Sequence, residues 1–203
     1  MVSIYDLKTR FQGLLRPIAR WLAGHGISAN AVTILAILGS LVVASCVVAW
    51  PTQGWPLLVL PAWMFVRMAL NAIDGMLARE HGMQSSLGAI LNEMGDVVSD
   101  AALFLAMAFV PGVPTWPIVT FAVFAILSEM IGVVAVQIGA SRRYDGPMGK
   151  SDRAFGIGLL ALLIGCGVPM GSWVSGYLAI HIVLTGVTVL NRAHKALAEL
   201  GAR

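Results

Sequence analysis

The chain is written as long apolar runs broken by short polar stretches. Six apolar runs, at about residues 30–50, 55–79, 87–110, 116–140, 154–168 and 173–191, come close to the ~20 residues that a helix needs to cross a hydrocarbon core about 30 Å thick. The fifth is the shortest. Residues 3–24 follow another pattern. Ile4, Leu7, Phe11, Leu14, Leu15, Ile18, Trp21 and Leu22 recur at helical spacing, while Asp6, Lys8, Arg10, Arg16 and Arg20 fall between them. So many charges exclude the apolar core of a signal peptide. The segment predicts an amphipathic helix lying on a membrane surface, its basic residues towards anionic headgroups; a plain topogenic flank is the alternative. The expected fold is therefore all-α and membrane-integral. One domain over 1–203 has a surface helix at 3–24 and six transmembrane helices over about 30–191, with no internal repeat.

Composition agrees with that class. The chain is 58% hydrophobic and 11% charged, against about 25% charged in a soluble domain. The net charge of +3 matters less than its placement. The breaks WPTQGWP, PGVPTWP and VPMGSW carry no charge and are rich in Pro, Gly and Trp, as interfacial turns are. Twelve of the thirteen Lys and Arg residues lie at the other ends of the runs. The positive-inside rule then puts both termini on the cytoplasmic side of an inner membrane. Membrane lipids, and no nucleic acid, are the expected surroundings. Cys46 and Cys166 sit in apolar runs and read as buried thiols rather than a disulfide.

The exception to the apolar pattern is 71–96, NAIDGMLAREHGMQSSLGAILNEMGD. Asn71, Asp74 and Ala78 share one helix face, and Asn92 and Asp96 share another four residues apart. Gly75 and Gly88 leave space beside those faces. Two polar helix faces at the cytoplasmic edge suit a substrate with one greasy and one water-soluble end. Carboxylates are the usual ligands of hard cations that bridge phosphates. Such a cation would screen a pyrophosphate and stabilise a nucleotide leaving group, and a carboxylate would take a proton from an attacking alcohol. The bland alternative for Gly75, Ala78 and Gly88 is close helix packing.

The same stretch resembles the CDP-alcohol phosphotransferase signature, D-x-x-D-G-x-x-A-R-x8-G-x3-D-x3-D. Asp74, Gly75, Ala78, Arg79, Gly88 and Asp96 match with every spacing kept, and Asn71 and Asn92 replace the first and third aspartates. The resemblance implies six transmembrane helices, a homodimer, and an active site open to the cytoplasm. It implies phosphatidyl transfer from CDP-diacylglycerol to a small polar or anionic alcohol, with release of CMP. One or two Mg2+ or Mn2+ ions would be bound by Asp74 and Asp96, with Asp96 also the general base. Asn30, Thr33, Gly75, Ala78, Arg79 and Gly88 would meet the nucleotide. The segment 146–155, GPMGKSDRAF, resembles the family's loop before the fifth span, which implies that Lys150 and Arg153 bind a phosphate or the acceptor; ordinary positive-inside charge is the alternative. Arg142 and Arg143 read as topogenic. Other outcomes of the resemblance are a phosphotransferase that uses soluble CDP-choline-like donors and a lipid alcohol, or a lipid-binding or transport protein on the same fold.

Asn71 and Asn92 lower the charge of the four motif positions from −4 to −2. An amide oxygen still ligates a hard cation but brings no charge. On an ideal helix Glu93, Asp96 and Asp100 fall within an arc of about 60°, which Asn92 widens to about 100°, so Glu93 is a candidate to supply the missing carboxylate. Three readings stay open: an enzyme that uses Glu93, an enzyme with one metal ion, and a binder without activity. Finally, Arg67, Asp100 and Glu129 each lie ~18–20 Å along their helices from the cytoplasmic end. Their equal depth predicts a structural bridge in which Arg67 pairs with Asp100 and Glu129. The alternatives are a metal-ligating Asp100 with Arg67 paired to Glu129 alone, and separate watered niches.

Overall fold

The computed structural model describes residues 4–202, and side-chain burial from Phe11 onward. Residue 3, Arg203, and the side chains of Ile4, Asp6, Leu7, Lys8 and Arg10 in the expected surface helix lie outside those described. All regular structure among the described residues is helical: α1 (Ile4–Gly24), α2 (Ala29–Ala49), α3 (Gly54–Glu80), α4 (Ser86–Ala106), a 3-10 turn (Met107–Phe109), α5 (Thr115–Gln137), α6 (Lys150–Gly165) and α7 (Ser172–Gly201). Helices α2, α3, α5 and α7 are long and apolar enough to cross a membrane. The other two expected spans differ in ways the residues explain. α4 carries Glu93, Asp96 and Asp100 along its length, and α6 has only 16 residues.

The chain divides into two compact units. The first holds α1, α2 as far as Leu41, α3 from Ala62 and α4 as far as Ser99. Its core is built from small residues and a few long ones. Ala19, Ala29, Val32, Ile73, Met76 and Leu77 are buried together, with Leu15, Leu22 and Ile27 packed against them. Small residues let helix backbones approach closely, which is the main route to tight packing where lipid offers no hydrophobic contrast. The turns are chemically specified. Ser28 Oγ accepts the Ala31 N–H at 3.2 Å and starts α2. Gly82 takes φ +67 between α3 and α4, a backbone state that a side chain disfavours. Ser85 Oγ then accepts the Gly88 N–H at 2.9 Å and starts α4. Arg16 of α1 clasps Glu80 at the end of α3 through two bonds of 3.0 and 2.9 Å.

The second unit holds residues 42–61 and all of the chain from Asp100. Phe104 and Phe121 are fully buried, with ring centroids 5.3 Å apart, and α5 lies along α7. The linker between α5 and α6 is tied to α7 by ion pairs. Arg143 bonds Glu199 at 2.8 Å, and Lys195 bonds Asp145 at 2.8 Å. Lys195 and Arg143 hold the Asp145 carboxyl below the usual carboxylate range, the Lys195 bond contributing most. Gly146 turns that linker at φ +125, and a Cβ there would come within 2.5 Å of the Thr188 methyl. Both cysteines are free thiols, but Cys166 is exposed rather than buried, because it follows the last turn of α6.

Candidate active site

Within the first unit, α2, α3 and α4 bring four of the expected residues into direct contact. Asp74 sits on α3 at 4% exposure. The Thr33 hydroxyl of α2 donates to its Oδ2 at 2.8 Å, and Thr33 also lies 3.1 Å from the Ala29 carbonyl. Across the α3–α4 pair, the Asn71 amide donates to Asp96 Oδ1 at 2.8 Å. Arg67, four residues before Asn71 on the same face of α3, reaches the same Oδ1 at 3.3 Å and the Asp96 carbonyl at 3.3 Å. The two motif carboxylates are thus each fixed by a side chain from a neighbouring helix.

The remaining motif residues have separate local jobs. A Cβ on Gly88 would lie 2.7 Å from Asn30 Oδ1, and one on Gly75 would lie 2.9 Å from Arg79 Nη2. Gly88 therefore makes room for the Asn30 side chain, and Gly75 for the Arg79 guanidinium folded back along its own helix. Ser85 is the partner of Asn30, at 3.5 Å. Asn92 and Glu93 are half-buried on α4, and Ala78 is half-buried on α3. Among the described residues, no three His, Cys, Asp or Glu side chains are arranged to hold a metal ion. Asp74 and Asp96 are thus not joined by Glu93 in a three-acid cluster. The available donors are two carboxylates and the amide oxygens of Asn71 and Asn92. All are hard oxygens, the donor class that Mg2+ and Mn2+ prefer.

Lys150 and Arg153 belong to the second unit, at the start of α6. Lys150 is half-buried and Arg153 is 0% exposed. Arg153 Nη2 bonds Glu129 Oε1 at 2.6 Å, and two more arginines reach the same carboxylate. Arg192 of α7 lies 3.4 Å from Oε1, and Arg142 lies 3.3 Å from Oε2. Glu129 is thus held by partners of its own unit. Residues near Glu129 in space on its own unit supply three guanidiniums, while Arg67 engages Asp96. Arg142, read as topogenic, also has this structural partner. Asp100 is buried.

The sequence held uneven signals for three of the partners it did not reveal. Arg67 at Asp96 was open to detection, since 67, 71, 74 and 78 continue one helix face. Ser85 carried the weaker signal of a helix-start serine. Arg192 at Glu129 carried none, being 63 residues distant in sequence.

A polar pair of helices with this motif, set among helices apolar enough to span a membrane, defines a membrane-embedded transferase of the liponucleotide type. The match to the family model for CDP-alcohol phosphatidyltransferase runs over residues 26–191, and the chain belongs to that family. Over 196 residues it is 40% identical to "Inner membrane protein YnbA" of Escherichia coli (strain K12), covering 97% of each chain. It is 27% identical over 212 residues to the phosphatidylinositol phosphate synthase of Mycobacterium bovis, covering 96% of this chain and 91% of the other. It is 25% identical over 148 residues to a probable phosphatidylglycerophosphate synthase of Mycobacterium tuberculosis, covering 69% and 68%. The fold is similar to the crystal structure of the M. tuberculosis phosphatidylinositol phosphate synthase in complex with manganese and citrate. The TM-score is 0.77 at 22% identity, over 93% of this chain and 91% of that one. A second crystal structure of that synthase, with CDP-DAG bound, gives a TM-score of 0.76 over 90% and 92%.

Proposed function

We propose that this chain transfers a phosphatidyl group from CDP-diacylglycerol to a small polar alcohol and releases CMP. The observation that carries the reading is the cross-helix arrangement of Thr33, Asp74, Asn71 and Asp96, in which two carboxylates are held in place by neutral donors. Asp96 is the base. It takes the hydroxyl proton of the acceptor as the acceptor oxygen bonds to the phosphatidyl phosphorus and the bond to CMP breaks. Asp74, with its Oδ2 tethered by Thr33, supplies the second carboxylate. These two, with the amide oxygens of Asn71 and Asn92, would hold Mg2+ or Mn2+, and Glu93 would add charge from the same face of α4. The bound cation supplies charge neutralisation at the pyrophosphate and the leaving CMP. Asn30, Thr33, Gly75, Ala78, Arg79 and Gly88 would meet the nucleotide, and Lys150 and Arg153 would bind a phosphate or the acceptor.

The same reading sets the chain in an inner membrane. α4 and α6 complete a set of six spans, α1 lies along the cytoplasmic surface, and the site and both termini face the cytoplasm. The working form is a homodimer. A lipid-binding or transport protein on this fold is the second reading, and the observation that favours it is Asn71 and Arg67 both occupying Asp96 Oδ1. The deciding experiment uses purified protein with labelled CDP-diacylglycerol, Mg2+ or Mn2+, and a panel of alcohols. Acceptor-dependent release of CMP, lost in Asp96→Asn, supports the enzyme. No CMP with any acceptor or ion, from protein that still binds CDP-diacylglycerol, supports the binder.

A further inference from the structure

The second unit contains a built oxyanion site that already has an occupant. Three guanidiniums converge on the Glu129 carboxylate: Arg153 at 2.6 Å, Arg142 at 3.3 Å and Arg192 at 3.4 Å. Each is also anchored to backbone. Arg153 Nη1 donates to the Met148 carbonyl at 3.1 Å, and Arg142 Nη1 to the Glu129 carbonyl at 3.1 Å. Arg192 donates to the Asp145 carbonyl at 3.1 Å and to the Ser128 carbonyl. Gly132 clears the space for Arg142, because a Cβ there would overlap Arg142 Nη1. The guanidiniums are therefore positioned by the fold and do not depend on the carboxylate for their orientation.

Three guanidiniums face the one Glu129 carboxylate. Arg153 Nε is buried with no hydrogen-bond partner among the described residues. Guanidinium forks recognise carboxylates and phosphates by the same paired hydrogen bonds, so a phosphate monoester is the free ligand this geometry would suit. Glu129 is tethered at that point. A tethered ligand competes at an effective concentration of millimolar or more, and displacing it would leave a mostly buried carboxylate without its pairs.

We infer that Glu129 is an internal stand-in for a ligand phosphate, and that it makes the acceptor of this chain an alcohol without a phosphate group. The step from the arginine site to the acceptor rests on the reading above, in which Arg153 binds a phosphate or the acceptor. Glu129 then determines specificity by occupying the oxyanion position.

The test reads phosphate binding directly, so it is independent of turnover. The full chain in detergent is melted in rising inorganic phosphate against chloride at matched ionic strength, for wild type, Glu129→Asp and Glu129→Gln. Wild type and Glu129→Asp should show no phosphate-specific rise in Tm. Glu129→Gln should show one, with half-saturation at least tenfold below any seen for wild type, and should be recovered in higher yield from phosphate buffer. Equal phosphate responses in wild type and Glu129→Gln would overturn the inference, because Glu129 would not be closing the site. A Glu129→Gln protein that phosphate neither stabilises nor rescues would also overturn it, because the arginines would not be an oxyanion site. Acceptor-dependent CMP release is scored separately. Its absence with every alcohol would count against the proposed function and leave the phosphate result standing. Turnover with a phosphorylated alcohol at the rate of its unphosphorylated form would count against Glu129 as the determinant.

Discussion

The Asn71 amide and the Asp96 carboxylate meet across α3 and α4 at 2.8 Å. An aspartate at position 71 would place two carboxylates at that distance. Two like charges near 4 Å repel by about 4 kcal/mol at an effective dielectric of 20, and a divalent cation between them reverses the sign. Asn71→Asp should therefore be less stable than wild type without metal and gain more from Mn2+. Thermal melts with chelator and with a Mn2+ series check this. A variant as stable as wild type in chelator, with unchanged Mn2+ dependence, would show that positions 71 and 96 do not share a cation.

Thr33→Val keeps the size of the side chain and removes the donor to Asp74 Oδ2. Loss of a hydrogen bond to a charged group costs about 1.5–3 kcal/mol, and the carboxylate becomes free to rotate. CMP release should fall by at least tenfold while the protein still folds. Asp74→Asn should lose metal affinity more strongly than Glu93→Gln, since Asp74 is buried at the motif face and Glu93 is not gathered with the two aspartates. Mn2+ titrations of the three variants give the order; an equal loss in Glu93→Gln would make Glu93 a direct ligand.

Much of this arrangement was legible in the chain, and what was not has physical reasons. Helices α2, α3 and α5 follow their apolar runs, because burial in lipid selects on hydropathy alone. α7 runs on to Gly201, ten residues past the expected end at 191, since polar residues continue a helix after the apolar pattern stops. α6 begins at Lys150 rather than 154, where Asp152 accepts the Gly149 N–H at 2.9 Å. The Asp74 and Asp96 faces could be read from spacings of three and four, which are local. The Glu129 cluster draws on residues 13, 24 and 63 positions away, and helix periodicity carries no information at that range. The depth of Arg67, Asp100 and Glu129 along their helices could be read from the sequence, whereas depth leaves rotation about each helix axis undetermined.

Arg67 is 4% exposed and pairs with Asp96 through Nη2. Removing one partner of a buried pair typically costs 3–5 kcal/mol. Arg67→Met should lower the yield of folded protein sharply. Arg67→Lys should fold better than Met but remain impaired, because a single ammonium does not reproduce a guanidinium shared between the Asp96 carboxylate and carbonyl. Size-exclusion profiles and melts of the two variants separate these outcomes; a fully stable Arg67→Met would make the pair dispensable.

Asp145 gives a pH signature outside the spanning helices. Its folded pKa is lowered, first by the Lys195 bond and then by Arg143. A lowered carboxyl contributes stability that is fully present above its unfolded value, near 3.9, and is lost as pH falls through the folded value. Asp145→Asn should thus be less stable than wild type at neutral pH, and the two melting curves should converge under acid. A gap that persists below about pH 2–3 would assign the effect to packing rather than to charge.

Orientation gives the last prediction. The breaks at 50–56, 111–117 and 168–173 carry no charge, while Lys and Arg gather at the opposite ends of the apolar runs, a pattern that predicts the former outside the cytoplasm. Gln53, Thr115 and Ser85 are all exposed, and the charge pattern predicts the first two outside and Ser85, between α3 and α4, inside. Cys166 is itself an exposed thiol beside the break at 168–173. In intact cells an impermeant maleimide should label native Cys166. In a Cys46→Ala, Cys166→Ala background it should label Gln53→Cys and Thr115→Cys, and it should reach Ser85→Cys only after the membrane is opened. The site would then take CDP-diacylglycerol from the leaflet facing the compartment that holds nucleotides and release CMP into that compartment. The reverse labelling pattern would put Asp74 and Asp96 on the outer side, without access to a nucleotide pool, and would remove the proposed reaction along with the topology.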